Sequence, residues 1–261
     1  MDRVGQVRQG AVMHRFARRS PWLLLLMAGT GLAAAPVAAQ EGPPGAVTVS
    51  GTAALVSDYR FRGVSRSAGE PAVQASVTLD HVSGAYVGVW VSSLATSAGR
   101  GASELDLTAG YSRELLPGLT GDAGLQVYTF PGAPDGQRTQ VEPYAAVSTS
   151  YGPGRVRLGV SYAIGRASLG GRDNLYVHGR LDVAVPGTPI SLSGRLGYQD
   201  GPLAAAAVAQ PGRRHGWDYA LGAEATVQGR VTLGLSYVGA SGQAVDRLTD
   251  DSVVASLTLS L

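Results

Sequence analysis

Asp58, Arg60 and Arg62 alternate with Tyr59 and Phe61 in the stretch VTVSGTAALVSDYRFRGVS, residues 47–65. Residues two apart on an extended chain share a face, so the three charges stand together on one side and the aromatics on the other. Fixed charges lining a wet constriction bias which ions enter it. The pattern recurs: Glu104, Asp106, Glu142, Arg157, Arg180, Asp182, Arg195, Asp218, Glu224 and Arg230 all fall on the polar faces of alternating stretches. Asp58, Arg60, Arg62, Glu104, Asp106, Glu142, Arg157, Arg180, Asp182 and Arg195 are the candidate pore-lining and selectivity residues. Arg60 and Arg62 would attract an anionic group at one end of the passage, opposed by Glu104 and Asp106 at the same level. The plainer reading is structural: the inward arginines and acids pair across a wet interior, because unpaired buried charges are costly.

Other chemistries find less support. A nucleophilic enzyme needs a Ser–His or Cys–His pair. The chain has no Cys, and beyond residue 39 its only histidines are His81, His178 and His215. His81 sits at a turn and His215 in a loop, which leaves His178 as the one inward candidate, and no serine motif marks a nucleophile. No two histidines have metal-ligand spacing. No catalytic residue, metal or cofactor is therefore assigned, and the protein is not expected to be an enzyme.

The elements that would position these charges follow from the pattern along the chain. Arg15, Arg18 and Arg19 precede an apolar run at residues 22–32 and small residues at 33–40, the order of a secretory signal peptide cut after Ala39. The apolar run is short for a membrane-spanning helix. Without residues 1–39 the chain keeps 16 Arg and 18 acids, so its basic balance belongs to the leader and nucleic acid is not an expected partner. Residues 40–46 read as a linker and 47–261 as one all-β domain.

Twelve alternating stretches are expected, near residues 47–65, 72–81, 86–93, 104–112, 120–130, 141–151, 156–164, 175–185, 190–199, 217–227, 230–237 and 252–261. A soluble β-sandwich also alternates. The connections discriminate: those after even-numbered strands are mostly short, those after odd-numbered strands generally longer. An even count with sorted loops predicts an antiparallel transmembrane β-barrel with short periplasmic turns, longer extracellular loops and both termini in the periplasm. Tyr59, Tyr198, Trp217, Tyr219 and Tyr237 would form the outer aromatic belt, and Tyr111 and Tyr151 the inner one.

Ser57-Asp58-Tyr59-Arg60-Phe61-Arg62-Gly63-Val64-Ser65, followed by Pro71-Ala72-Val73-Gln74, Tyr86-Val87-Gly88-Val89-Trp90, Glu104-Leu105-Asp106-Leu107 and Gly110-Tyr111, resembles the TorF family of porins in order and spacing. The first nine residues are the specific part, and the resemblance is strongest over residues 47–130. It implies a β-barrel in the Gram-negative outer membrane and a pore, and it carries no substrate. The chain ends on Leu261, where many outer-membrane barrels end on Phe or Trp. The expected function is a porin passing small hydrophilic solutes or ions by passive diffusion, as a monomer or an oligomer in outer-membrane lipid. A non-conducting structural or ligand-binding barrel, with residues 200–215 as its binding loop, is the alternative.

Overall fold

A computed structural model describes residues 45–96, 100–134, 138–210 and 212–261. The leader and most of the linker lie outside the described residues.

Twelve strands form a closed ring: β1 (Val47–Val56), β4 (Ala72–His81), β5 (Ala85–Ser93), β6 (Ser103–Leu116), β7 (Leu119–Thr129), β8 (Thr139–Tyr151), β9 (Gly154–Ala163), β10 (Asn174–Ala184), β11 (Ile190–Asp200), β12 (His215–Val227), β13 (Val231–Ala240) and β14 (Ser252–Ser260). Two short strands, β2 (Arg60–Phe61) and β3 (Val64–Ser65), pair only with each other, and a five-residue helix, α1 (Ala205–Ala209), lies between β11 and β12. Each wall strand is antiparallel to the next, and β14 returns to β1. β1 pairs along its whole length with β4, from Val47 opposite His81 to Val56 opposite Ala72. Its pairing with β14 covers only Thr52–Val56 against Ser256–Ser260. Beyond that seam the Leu261 N–H still donates to the Gly51 carbonyl at 3.0 Å.

Side-chain alternation decides what each face meets. Val49, Val77, Val87, Leu107, Leu158, Leu192, Leu221 and Leu235 point outward and are exposed. Apolar residues thus ring the outside on every side, an arrangement that lipid satisfies and water does not. Gln74, Glu104, Asp106, Asp122, Glu142, Ser148, Arg157, Ser161 and Asp218 of the strands point inward and are buried. The strand connections sort by end: 82–84, 117–118, 152–153, 185–189 and 228–230 at one end, and 57–71, 94–102, 130–138, 164–173, 201–214 and 241–251 at the other. The observed fold is therefore the expected antiparallel transmembrane barrel. Tyr198 and Trp217 sit 5.0 Å apart between ring centroids, and Tyr219 and Tyr237 6.2 Å apart, near the loop end of the outer surface. Tyr111 and Tyr151 face outward near the turn end.

Three expectations are corrected. The first strand does not run through residues 47–65; it stops at Val56, and residues 57–71 fold into the barrel. The cause lies at Arg62 and Gly63, whose φ angles of 52° and 83° make a two-residue turn with positive φ at both positions. Phe61 and Val64 then face each other in a miniature hairpin. Tyr59 is accordingly buried inside at 4 % exposure and leaves the outer belt. Residues 113–119 are mostly strand, since β6 and β7 continue to a tight turn at Pro117-Gly118. Arg230 lies exposed in the turn before β13 and does not face the lumen.

Leu158, in the middle of β9, is 57 % exposed on the outer face, while Tyr151 at the turn end is 93 % exposed. Leu158→Arg is expected to cost about 2–4 kcal/mol and Tyr151→Arg about 0–1 kcal/mol in denaturant unfolding from lipid vesicles. Equal costs at both positions would place the membrane elsewhere on the surface.

Candidate functional site

The insert at residues 57–71 starts from a fixed point on the wall. The Ser57 N–H donates to the Ala255 carbonyl, and the Ala255 N–H to the Ser57 Oγ, each at 2.9 Å. The chain then turns inward, and Asp58 becomes the centre of a knot. Its carboxylate accepts from Arg60 Nε at 2.5 Å, Ser65 Oγ at 2.5 Å and Ser67 Oγ at 3.0 Å. The Tyr59 N–H donates to Ser67 Oγ at 2.8 Å, and the Arg66 N–H to the Tyr59 carbonyl at 2.7 Å. These bonds satisfy a backbone that has left the sheet.

An apolar cluster anchors the insert on one side. Tyr59 packs on Trp90 of β5 with ring centroids 5.3 Å apart, and Phe61 meets Tyr128 of β7 edge-on at 5.6 Å. Val56, Leu94 and Phe130 complete the cluster. Burying such side chains contributes roughly 1.5–3 kcal/mol each.

Three arginines tie the insert to its surroundings, one to the 241–251 connection and two to wall strands. Arg60 reaches the Asp250 backbone carbonyl and, at 3.0 Å, its carboxylate. Arg62 pairs with Glu142 of β8, and Arg66 with Glu104 of β6. Phe61 lies between the last two, with the Arg62 guanidinium 4.6 Å and the Arg66 guanidinium 3.7 Å from its ring centre. Arg62 also covers Tyr176 of β10 at 4.0 Å, and Tyr176 stacks on His178 at 5.1 Å. Such contacts are strongest where the cation is desolvated. Burial is the largest single influence and opposes the Arg66 charge, yet Glu104, Tyr59 and Asp106 together outweigh it and raise the Arg66 pKa above its ordinary value. Burial first, and then Glu104, push the Tyr59 phenol well above its usual range, so Tyr59 stays neutral.

Opposite the cluster, Gly63 touches the wall. A Cβ there would come within 2.7 Å of Ala240 Cβ and 3.3 Å of Asp218 Cβ. The insert thus meets β5, β6, β7, β8, β10, β12 and β13 and is bonded to β14, so it spans the lumen from wall to wall near the loop end. Residues 203–206 are buried at the same end: Leu203 packs with Leu169 and Ala163, and Ala204, Ala205 and Ala206 are buried.

The predicted residues divide into two groups. Asp58, Arg60, Arg62, Glu104, Asp106 and Glu142 come together around the insert, each 8 % exposed or less. Arg157, Arg180, Asp182 and Arg195 lie apart on the β9–β11 wall. There Arg157 pairs with Asp122 at 2.7 Å, Arg180 with Asp182 at 2.6 Å, and Arg195 with Asp218 at 3.0 Å. Arg66, Asp122, Asp250 and Tyr176 were not among the predicted site residues. Reading Arg62-Gly63 as the centre of a hairpin turn would have folded Arg66 back beside Tyr59. Among the described residues, no group of three or more His, Cys, Asp or Glu side chains is placed to hold a metal ion.

A bacterial family of unknown function, Gcw_chp, matches residues 40–260. The comparison with curated proteins returns no match. Among solved structures, a NanC porin superposes with a TM-score of 0.57 at 10% identity, covering 82% of this chain and 98% of the porin. A KdgM porin in complex with disordered oligogalacturonate superposes with a TM-score of 0.54 at 7% identity, covering 81% and 96%. At these identities the likeness concerns the fold.

Glu104→Gln leaves the Arg66 cation buried without its counter-charge, which is expected to cost about 3–5 kcal/mol of insert docking. Gly63→Val places a branched side chain against Ala240 at a positive φ. Both variants are expected to open the insert to trypsin after Arg62 and Arg66 while the barrel stays folded. Glu114→Gln, exposed at the turn end, should leave the digestion pattern unchanged.

Proposed function

The chain belongs to the Gcw_chp family, and we propose that it forms an outer-membrane channel for small hydrophilic solutes or ions. The observation that carries this reading is the closed ring of 12 strands, apolar outside and lined inside with charged and hydroxyl side chains. A sheet that only had to exist in a membrane could fill its interior with apolar side chains, as a polar lining stabilises no fold by itself. The likeness in fold to two porins and the TorF-like residues 57–65 support the same reading. In this reading a leader cleaved after Ala39 exports the chain, the turn end faces the periplasm and the loop end faces outward.

The insert is then the constriction. Solute that crosses must pass between Arg60, Arg62 and Arg66 and the acids that hold them, or displace the insert. In this reading transport is passive diffusion. The wall-to-wall contact of the insert favours a second reading, a barrel that binds a solute on its periplasmic side without conducting.

Planar-bilayer conductance of the purified protein separates the two. The native protein is expected to give small ohmic steps. Arg60→Ala with Arg62→Ala removes two cations facing Asp58, Asp250 and Glu142, so steps should grow and the reversal potential in a salt gradient should move toward cation selectivity. An unchanged reversal potential rejects the filter role of that pair. Silence from folded native protein, and from Gly63→Val with its insert displaced, rejects the channel.

A further inference from the structure

Arg157, Arg180 and Arg195 are direct register partners on three adjacent strands: Arg180 of β10 stands opposite Arg157 of β9 on one side and Arg195 of β11 on the other. All three point into the lumen at one level, on the turn-end side of Tyr176 and Arg62. Like charges directly opposite one another destabilise a sheet, so the row works against the wall that carries it. Asp122, Asp182 and Asp218 each hold one arginine, and Glu224 of β12 faces Arg180 and Asp182. These acids do not use up the donors. Among the described residues Arg157 Nε and Arg195 Nε are buried with no hydrogen-bond partner, as is His178 Nδ1 directly above the row.

The row is nevertheless reachable. The Arg180, Asp182 and Arg195 side chains keep 24%, 29% and 19% exposure to the lumen. The His178 ring lies against Gly159, where a Cβ would come within 2.5 Å of it, so the ring rests on the wall. Diametrically across, β1 and β4 present Ser50, Thr52, Ser76 and Thr78, which are neutral, and Thr52 and Ser76 bond each other at 2.7 Å. One wall therefore offers a line of guanidinium groups, Arg180 with its Nε edge already on Asp182, and the other a line of hydroxyls.

We propose that the Arg157–Arg180–Arg195 row is a binding site for the oxyanion group, carboxylate or phosphate, of a small solute entering from the turn end. Guanidinium forks match both groups through paired N–H···O bonds. The anion would take up the idle Nε donors and relieve the repulsion along the row, while hydroxyls of the solute meet the opposite wall. The site stands whether or not the solute goes on to cross the insert.

Isothermal titration calorimetry on the folded full chain in detergent tests this, with sodium gluconate, inorganic phosphate and glucose as probes. Saturable binding of gluconate or phosphate, and none of glucose, is the expected result, and the anion that binds identifies the class. Arg180→Gln with Asp182→Asn conserves net charge and should weaken binding about tenfold, the loss of roughly one charged hydrogen bond. Arg195→Lys keeps the charge but loses the fork, and should weaken binding severalfold; it carries the test if the double variant fails to fold. No saturable heat with either anion, equal binding of glucose, or unchanged affinity in the folded variants overturns the site. A protein that conducts yet binds neither anion overturns this site and leaves the channel standing; one that binds without conducting does the reverse.

Discussion

A backbone N–H or C=O group in hydrocarbon finds no water, so a sheet that crosses a membrane must close on itself. Here closure falls on β1, which shares ten residue pairs with β4 but five with β14. That seam also decides where the insert hangs. The last paired residues of β1 run straight into Ser57, which is bonded twice to Ala255 of β14. Residues 57–71 therefore leave from a point where the ring has just been joined, and the way open to them is inward over the lumen.

Inside, the governing quantity is the cost of taking charges out of water. Arg62 and Arg66 are nearly buried, and each survives there because a carboxylate from a facing strand and the face of an aromatic ring share its charge. This ties the insert in position: Arg62 and Arg66 reach two different strands of the ring, and Arg60 reaches the 241–251 connection. The β9–β11 wall follows a looser rule. Arg180 and Arg195 keep part of their side chains exposed, while Arg157 is buried against Asp122, and each pairs with an acid of the wall itself.

Much of this architecture was legible in the alternation of side chains. The outward row of Val156, Leu158, Val160 and Tyr162 and the inward row of Arg157, Gly159 and Ser161 follow from period 2 alone, and they set β9 in the wall with the right face to lipid. Loop sorting gave the two ends. What alternation could not show was where a strand stops being wall. Tyr59 and Phe61 continue the parity of β1, and their aromatic character fits a membrane interface as well as an interior cluster. Only the positive φ at Arg62 and Gly63 separates the two, and a backbone angle leaves a weak trace in sequence. The partners of the charges were equally hidden, since Glu142 and Arg62 meet through the curvature of a closed ring that a one-dimensional pattern does not contain.

The bridge from Arg60 to Asp250 joins residues 190 positions apart in the chain. Contacts at such separation form late, because the loop they close must first be ordered by everything between its ends. Arg60 belongs to the first part of the barrel to leave the ribosome and Asp250 to the last hairpin. The bridge between them therefore closes only when both ends of the barrel are formed. Residues 57–71 can thus take their full set of contacts only once the last connection of the barrel is in place.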